Sequence, residues 1–290
     1  MRAWLLVSAA LLSAASPAAS SIAAGTSATS FEGPAGVFAV VLLEVALGSL
    51  ALIWLLPLWG VVKRGFFVLV ASTAATCALL ALLAARSGLD RVGDDGTAAR
   101  AALIAFTLAS GAFLAALLAK KTALARAAGL LAVPLGIAAV VTIGQLRGDG
   151  ATAAKGIAAM LCGAAFLGAT WNGMVLGHWY LVDRKLKIDP MKASATAYSI
   201  SIGLAVVSTV VGQGHQPTTK SALQTSALLL VSDLTVYLAI GLVAVCALLA
   251  FFVHKLVAEG SIRAATGMLY LAVIMAFSAE FAAKVYFFSV

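Results

Sequence analysis

An all-α, polytopic transmembrane helix bundle is the fold class this chain predicts, with eight spans after an N-terminal signal-like segment. Two observations carry the expectation. Of 290 residues, 63% are hydrophobic and only 10% charged, whereas a soluble domain is about a quarter charged. The apolar runs are roughly 20 residues long, enough for a helix to cross about 30 Å of hydrocarbon, and they lack the short alternating pattern of an outer-membrane strand.

Residues 1–24 combine an early charge, Arg2, with an apolar stretch from Trp4 and small residues around Pro17. This is the order of a signal peptide. Cleavage after Ser20 or Ala23 satisfies the small-residue requirement, and an uncleaved first helix is the alternative. Residues 25–290 then read as one eight-helix transmembrane domain, with spans at 36–59, 66–85, 101–119, 127–146, 156–182, 193–212, 223–253 and 264–288. The stretches 156–182 and 223–253 exceed a simple crossing, so they tilt or project from the bilayer. No internal repeat stands out from a background so rich in Ala, Leu and Val.

The loops assign the sides. One set holds Lys63, Arg64, Lys120, Lys121, Arg126, Arg184, Lys185, Lys187, Lys192, Lys255 and Arg263, eleven basic residues; the other holds Arg86, Arg91, Arg100, Arg147, Lys155 and Lys220, six. The richer set is cytoplasmic by the positive-inside rule. Both ends of the mature chain then lie outside the cytoplasm of a bacterial-type inner membrane, in agreement with a cleaved signal peptide. The formal charge of +8 follows from this partition and calls for no nucleic-acid partner. Membrane lipids are the expected surroundings, with other membrane subunits or further copies of the chain as protein partners.

Charged residues inside spans are costly unless paired or hydrated, and so mark candidate function. Glu44, Asp233, Glu280 and Lys284 form that set. The three acids fall roughly 12–15 Å below the outer ends of their helices at 1.5 Å per residue, which lets them meet. Glu280 and Lys284 stand four apart on one face, acid first, in the favourable order. Asp233 and Glu44 are then the acids whose titration departs most from that in water. One reading is a proton or ion path lined by these groups; the other is an internal brace with neutral acids as hydrogen-bonding glue.

The fifth span carries the densest local pattern, including Gly163, Gly168, Trp171, Asn172, Gly173, Gly177, His178, Trp179 and Tyr180. Gly173 and Gly177 form a small-xxx-small stripe suited to close helix packing, and Asn172 adds a neutral polar group near mid-membrane. Trp179 and Tyr180 suit an interfacial belt. His178 is chemically richer, since imidazole donates to a quinone carbonyl, ligates haem iron or carries a proton. His254 lies near the same membrane side, so the two are the candidate haem pair, with Trp179 and Tyr180 as further quinone or haem contacts. No cofactor is otherwise implied. Cys77, Cys162 and Cys246 lie dispersed in apolar runs, and neither they nor the histidines have metal-site spacing.

The loops leave no room for a soluble catalytic domain, and P-loop, HExxH and GxSxG signatures are absent from the sequence; whether the chain is an enzyme stays open. Three functional readings follow. The first is handling of a small solute or ion, proton-coupled through the intramembrane carboxylates. The second is a quinone-interacting or proton-conducting membrane subunit of a redox complex; in helix count alone the outline is similar to quinol-interacting subunits of the polysulfide-reductase type, without a shared motif. The third is a membrane scaffold or assembly subunit.

Overall fold

The structure is a computed structural model that describes residues 34–92, 94–146, 150–183, 186–212 and 232–288. The signal-like segment lies outside the described residues. Among them are eight α-helices and no strand: α1 Pro34–Leu55, α2 Arg64–Val92, α3 Asp95–Leu118, α4 Thr122–Gln145, α5 Ala151–Val182, α6 Asp189–Gly212, α7 Ser232–Ala258 and α8 Ile262–Phe288. Seven are long and apolar enough over their described side chains to cross a membrane. The chain is therefore a multi-pass membrane protein. The remaining helix, α6, carries Thr196, Ser199, Ser201 and Thr209, and each of these hydroxyls donates to a carbonyl of its own helix. Such back-bonding satisfies polar groups where no water is available.

Burial ranks the helices. In α1 the most apolar stretch is 89% buried, against 33–50% in the other six. A helix apolar all round belongs at a centre, and α1 packs against α2, α4, α5 and α8. The outer helices bury one stripe each. That of α2 is built of Ala74, Ala78, Ala81 and Ala85, small residues at helical spacing that bring neighbouring backbones close.

Connectivity divides the bundle into two four-helix units. In the first, α1–α2, α2–α3, α3–α4 and α1–α4 pack in a ring; in the second, α5–α6, α6–α7, α7–α8 and α5–α8 do the same. The repetition extends to single hydrogen bonds. At the α3–α4 turn the amides of Ala119, Lys120, Lys121 and Ala125 donate to the carbonyls of Ala115, Leu117, Ala116 and Lys121. At the α7–α8 turn the amides of Glu259, Gly260, Ser261 and Ala265 donate to those of Lys255, Val257, Leu256 and Ser261. These are the same four bonds at a constant numbering offset, with a left-handed residue at the same place in each, Lys120 (φ 59°) and Gly260 (φ 75°). The pattern is a helix-terminating motif that prefers glycine.

Buried positions recur with the same offset: Ala125 with Ala265, Ala132 with Ala272, Ala139 with Ala279, Val140 with Glu280, and Gly144 with Lys284. The absence of a repeat in the sequence reading is thus corrected at the level of architecture. The two helices share a pattern of burial without sharing residue types at positions such as Val140 and Glu280 or Gly144 and Lys284, so the geometry repeats where the letters do not.

The units meet along α1 and α5, which run parallel. At their crossing, Gly48 lies against the Ala164 carbonyl and Gly168, so that a Cβ on Gly48 or Gly168 would collide with the opposing backbone. Farther along, Lys63 pairs with Asp183 at 2.8 Å. Two flanking contacts, α1·α8 and α4·α5, complete the junction, together with α2·α5. The backbones of α1 and α6 do not come together; between them lies a cleft of about 500 Å³ whose lining includes Leu52 and Leu55, Ala165 and Ala169, and Ile200 and Leu204.

Candidate functional site

Three charged side chains meet where α1, α5 and α8 converge. The Lys284 ammonium lies 2.9 Å from Glu44 Oε1 and 3.1 Å from Glu280 Oε2, and donates to the Ala159 carbonyl of α5 at 3.5 Å. All three are buried, with 0% of Glu44, 3% of Glu280 and 1% of Lys284 exposed. Local sequence builds the cluster. Glu280 and Lys284 share a face of α8 because they are four apart, and Glu44 reaches them because α1 is central.

Room for the carboxylates comes from α5. A Cβ on Gly163 would lie 2.7 Å from Glu44 Oε1 and 2.9 Å from Glu280 Oε2, so glycine at this position is a condition of the site. Phe38 and Phe281 stack across the same α1·α8 contact, with centroids 5.9 Å apart. Among the described residues Glu44 Oε2 has no hydrogen-bond partner. A buried carboxylate oxygen in that position is a place for a proton or a water.

Charge count defines what the cluster can do. Two carboxylates and one ammonium, all ionised, leave one negative charge in an environment that penalises it. Binding one proton restores neutrality. Both acids lie within 3.1 Å of the ammonium, so either is placed to take that proton.

Other sequence-predicted residues lie elsewhere. Asp233 is in the first turn of α7, and its side chain is outside the described ones. Asn172 donates from Nδ2 to the Ser49 carbonyl at 2.9 Å, across the α1·α5 junction. Gly173 faces Leu269 and Ser194, each 3.3 Å from a built Cβ, and Gly177 faces Thr266 Oγ1 at 2.6 Å; this stripe therefore packs on α8 and α6. His178 is exposed, its Nδ1 3.1 Å from the Tyr270 hydroxyl. His254 is exposed on α7. Trp179 is half-buried over Gly65, while the Tyr180 hydroxyl donates to the Lys187 carbonyl and fastens the α5–α6 loop.

Sequence reasoning missed Gly48 and the site role of Gly163. A signal for the first existed: Gly48 follows Glu44 by four residues and so shares its helical face. It also missed an aromatic belt at the basic-loop end, where Trp54, Trp59 and Phe67 stack in succession and Arg126 sits 5.2 Å over the Trp59 ring. Nearby, Arg64 donates to the Leu117 carbonyl at 2.8 Å, closing the C-terminal end of α3. Comparison with protein-family models, curated proteins and solved structures gave no match.

Proposed function

We propose that this chain handles a small solute or ion across a bacterial-type inner membrane, coupled to protons through the Glu44–Lys284–Glu280 cluster. The reading has eight spans and places both ends of the mature chain outside the cytoplasm. The observation that carries it is the odd charge count of a cluster that bridges the two four-helix units. A brace alone needs one acid per lysine; a second buried acid supplies a protonatable group where a carrier needs one.

The test is proton uptake into liposomes containing the purified chain, followed with an internal pH-sensitive dye under an imposed potential. The wild type is expected to conduct or exchange protons above empty vesicles, and Glu44→Gln to lose at least tenfold of that signal while keeping its folded yield. Equal uptake by wild type, variant and empty vesicles would remove the reading. For orientation, a reporter fused after Val290 is expected to be active outside the cytoplasm, and reporters near Lys121 or Lys187 to behave as cytoplasmic.

One observation favours a second reading, a quinone-contacting subunit of a redox assembly. The His178–Tyr270 pair is exposed on the bundle surface, where an imidazole and a phenol are suited to bonding a quinone carbonyl. Quinone binding that His178→Leu abolishes, in a chain without proton uptake, would favour this reading over the first.

A further inference from the structure

The two contacts that flank the α1·α5 crossing occupy equivalent places in the repeat and differ in chemistry. At α4·α5, Gly144 receives the Ile157 and Met160 side chains, an apolar fit that no proton affects. At α1·α8 the counterparts of Gly144 and Val140 are Lys284 and Glu280, and they face Glu44. Among the described residues the titratable groups around this point include Glu44 from α1, Glu280 and Lys284 from α8, and Cys162 from α5.

Ownership of these groups matters. Glu44 belongs to the first unit, Glu280 and Lys284 to the second, so among the described residues Lys284 pairs with an acid of its own helix and with an acid across the junction. A proton on Glu280 leaves the ion pair that ties the units together. A proton on Glu44 leaves the pair internal to α8, and α1·α8 is then held by apolar contacts such as the Phe38–Phe281 stack. Meanwhile the α4·α5 contact stays as it is, and the Gly48–Gly168 crossing, with no side chains between the backbones, offers a low-friction pivot.

We propose that Glu44–Lys284 is a proton-operated latch between the two units: moving one proton from Glu280 to Glu44 releases α1 from α8 while α4·α5 serves as the fixed hinge. The proposal rests on the proton-coupling reading above and names its moving part. The proton enters from water and returns to it, and no other reactant is required. Because the cluster is neutral with its one proton on either acid, the same three groups have two arrangements of equal charge, as a switch between conformations requires.

The experiment uses the full chain in lipid nanodiscs, with Cys77, Cys162 and Cys246 replaced by alanine and nitroxide labels on two pairs of introduced cysteines. Ala35→Cys with Ser278→Cys spans α1·α8; Lys155→Cys with Ala138→Cys spans the equivalent α5·α4 contact, and all four native side chains are exposed. At neutral pH the first pair is expected to show two distance populations, a few ångström apart, whose ratio stays constant with pH while the cluster holds one proton, because both arrangements bind the same number. The second pair is expected to show one population throughout. Glu280→Gln is expected to hold the first pair short and Glu44→Gln to hold it long, each collapsing the two populations to one.

A first pair with a single population in the wild type, a second pair with two populations, or two variants that shift the first pair in the same direction would each overturn the latch. The outcome is separable from that of the uptake assay. Proton uptake with a fixed α1·α8 distance removes the latch and keeps the function; switching without uptake removes the function and keeps the latch.

Discussion

The α1·α8 and α4·α5 contacts differ in a way that their shared geometry makes legible. Each joins the last helix of one four-helix unit to the first helix of the other, and the buried positions of α4 recur in α8. One is filled by aliphatic side chains against glycine, the other by two acids and a lysine. The apolar contact demonstrates that this architecture packs well without any charge. The charges at α1·α8 are thus an addition to a fold that does not need them, and buried ion pairs are in general poor value as stabilisers compared with apolar packing.

The largest expected effect tests that contrast. Lys284→Met leaves two carboxylates facing each other in a dry site and is expected to cost about 3–5 kcal/mol, the range for breaking a buried pair from one side, read as a fall in the thermal midpoint in detergent. Adding Glu44→Gln and Glu280→Gln to Lys284→Met is expected to recover most of the loss, because the site then resembles its apolar counterpart. A triple variant as unstable as Lys284→Met would mean that the charges do hold the fold together.

Next in size is the pivot. Gly48→Ala pushes a methyl group into the Ala164 carbonyl, and overpacking of that kind costs about 1–3 kcal/mol. Gly111→Ala and Gly203→Ala meet no atom within 4 Å, so they are expected to be neutral or to raise the melting midpoint, since alanine is the better helix former by up to about 1 kcal/mol. Equal behaviour of all three would argue against a backbone-to-backbone crossing.

The smallest effect sharpens the repeat. Lys120 holds a left-handed conformation that its counterpart Gly260 adopts freely, and relief of that strain in Lys120→Gly is expected to add about 1 kcal/mol. A lower melting midpoint would indicate that the Lys120 side chain makes a contact worth more than the strain.

Much of the fold was legible in the letters, and for a physical reason. Bilayer thickness sets the length of a span, so long apolar stretches are visible in the sequence, and seven of the eight described helices are long and apolar enough to cross a membrane. The shared depth of Glu44 and Glu280 was legible too, because depth depends only on residue count and helical rise. Rotation about the helix axis was not. A helix as uniformly apolar as α1 has no polar face to orient it, so nothing in the sequence indicated that Lys284 would bond across to Glu44 as well as to Glu280. Gly163 escaped for a related reason: a glycine that makes space for a neighbour leaves no mark of which neighbour it serves. The repeat was hidden because the shared pattern of burial does not fix residue type at positions such as Val140 and Glu280.

The central position of α1 also bears on how the protein is made. Glu44 is synthesised long before Lys284, and at roughly 5–20 residues per second the interval is on the order of tens of seconds. In the course of it α1 gains its neighbours α2 and α4 and then α5, whose Gly163 faces the acid, but the lysine of α8 arrives only at the end. An isolated carboxylate is poorly tolerated in lipid, so the nascent first unit spends that interval with Glu44 neutralised by a proton or sheltered by the insertion machinery. Of the described helices α8 is made after the other seven, and its lysine completes the environment of the acid in the first, so the site closes only when α8 has been added.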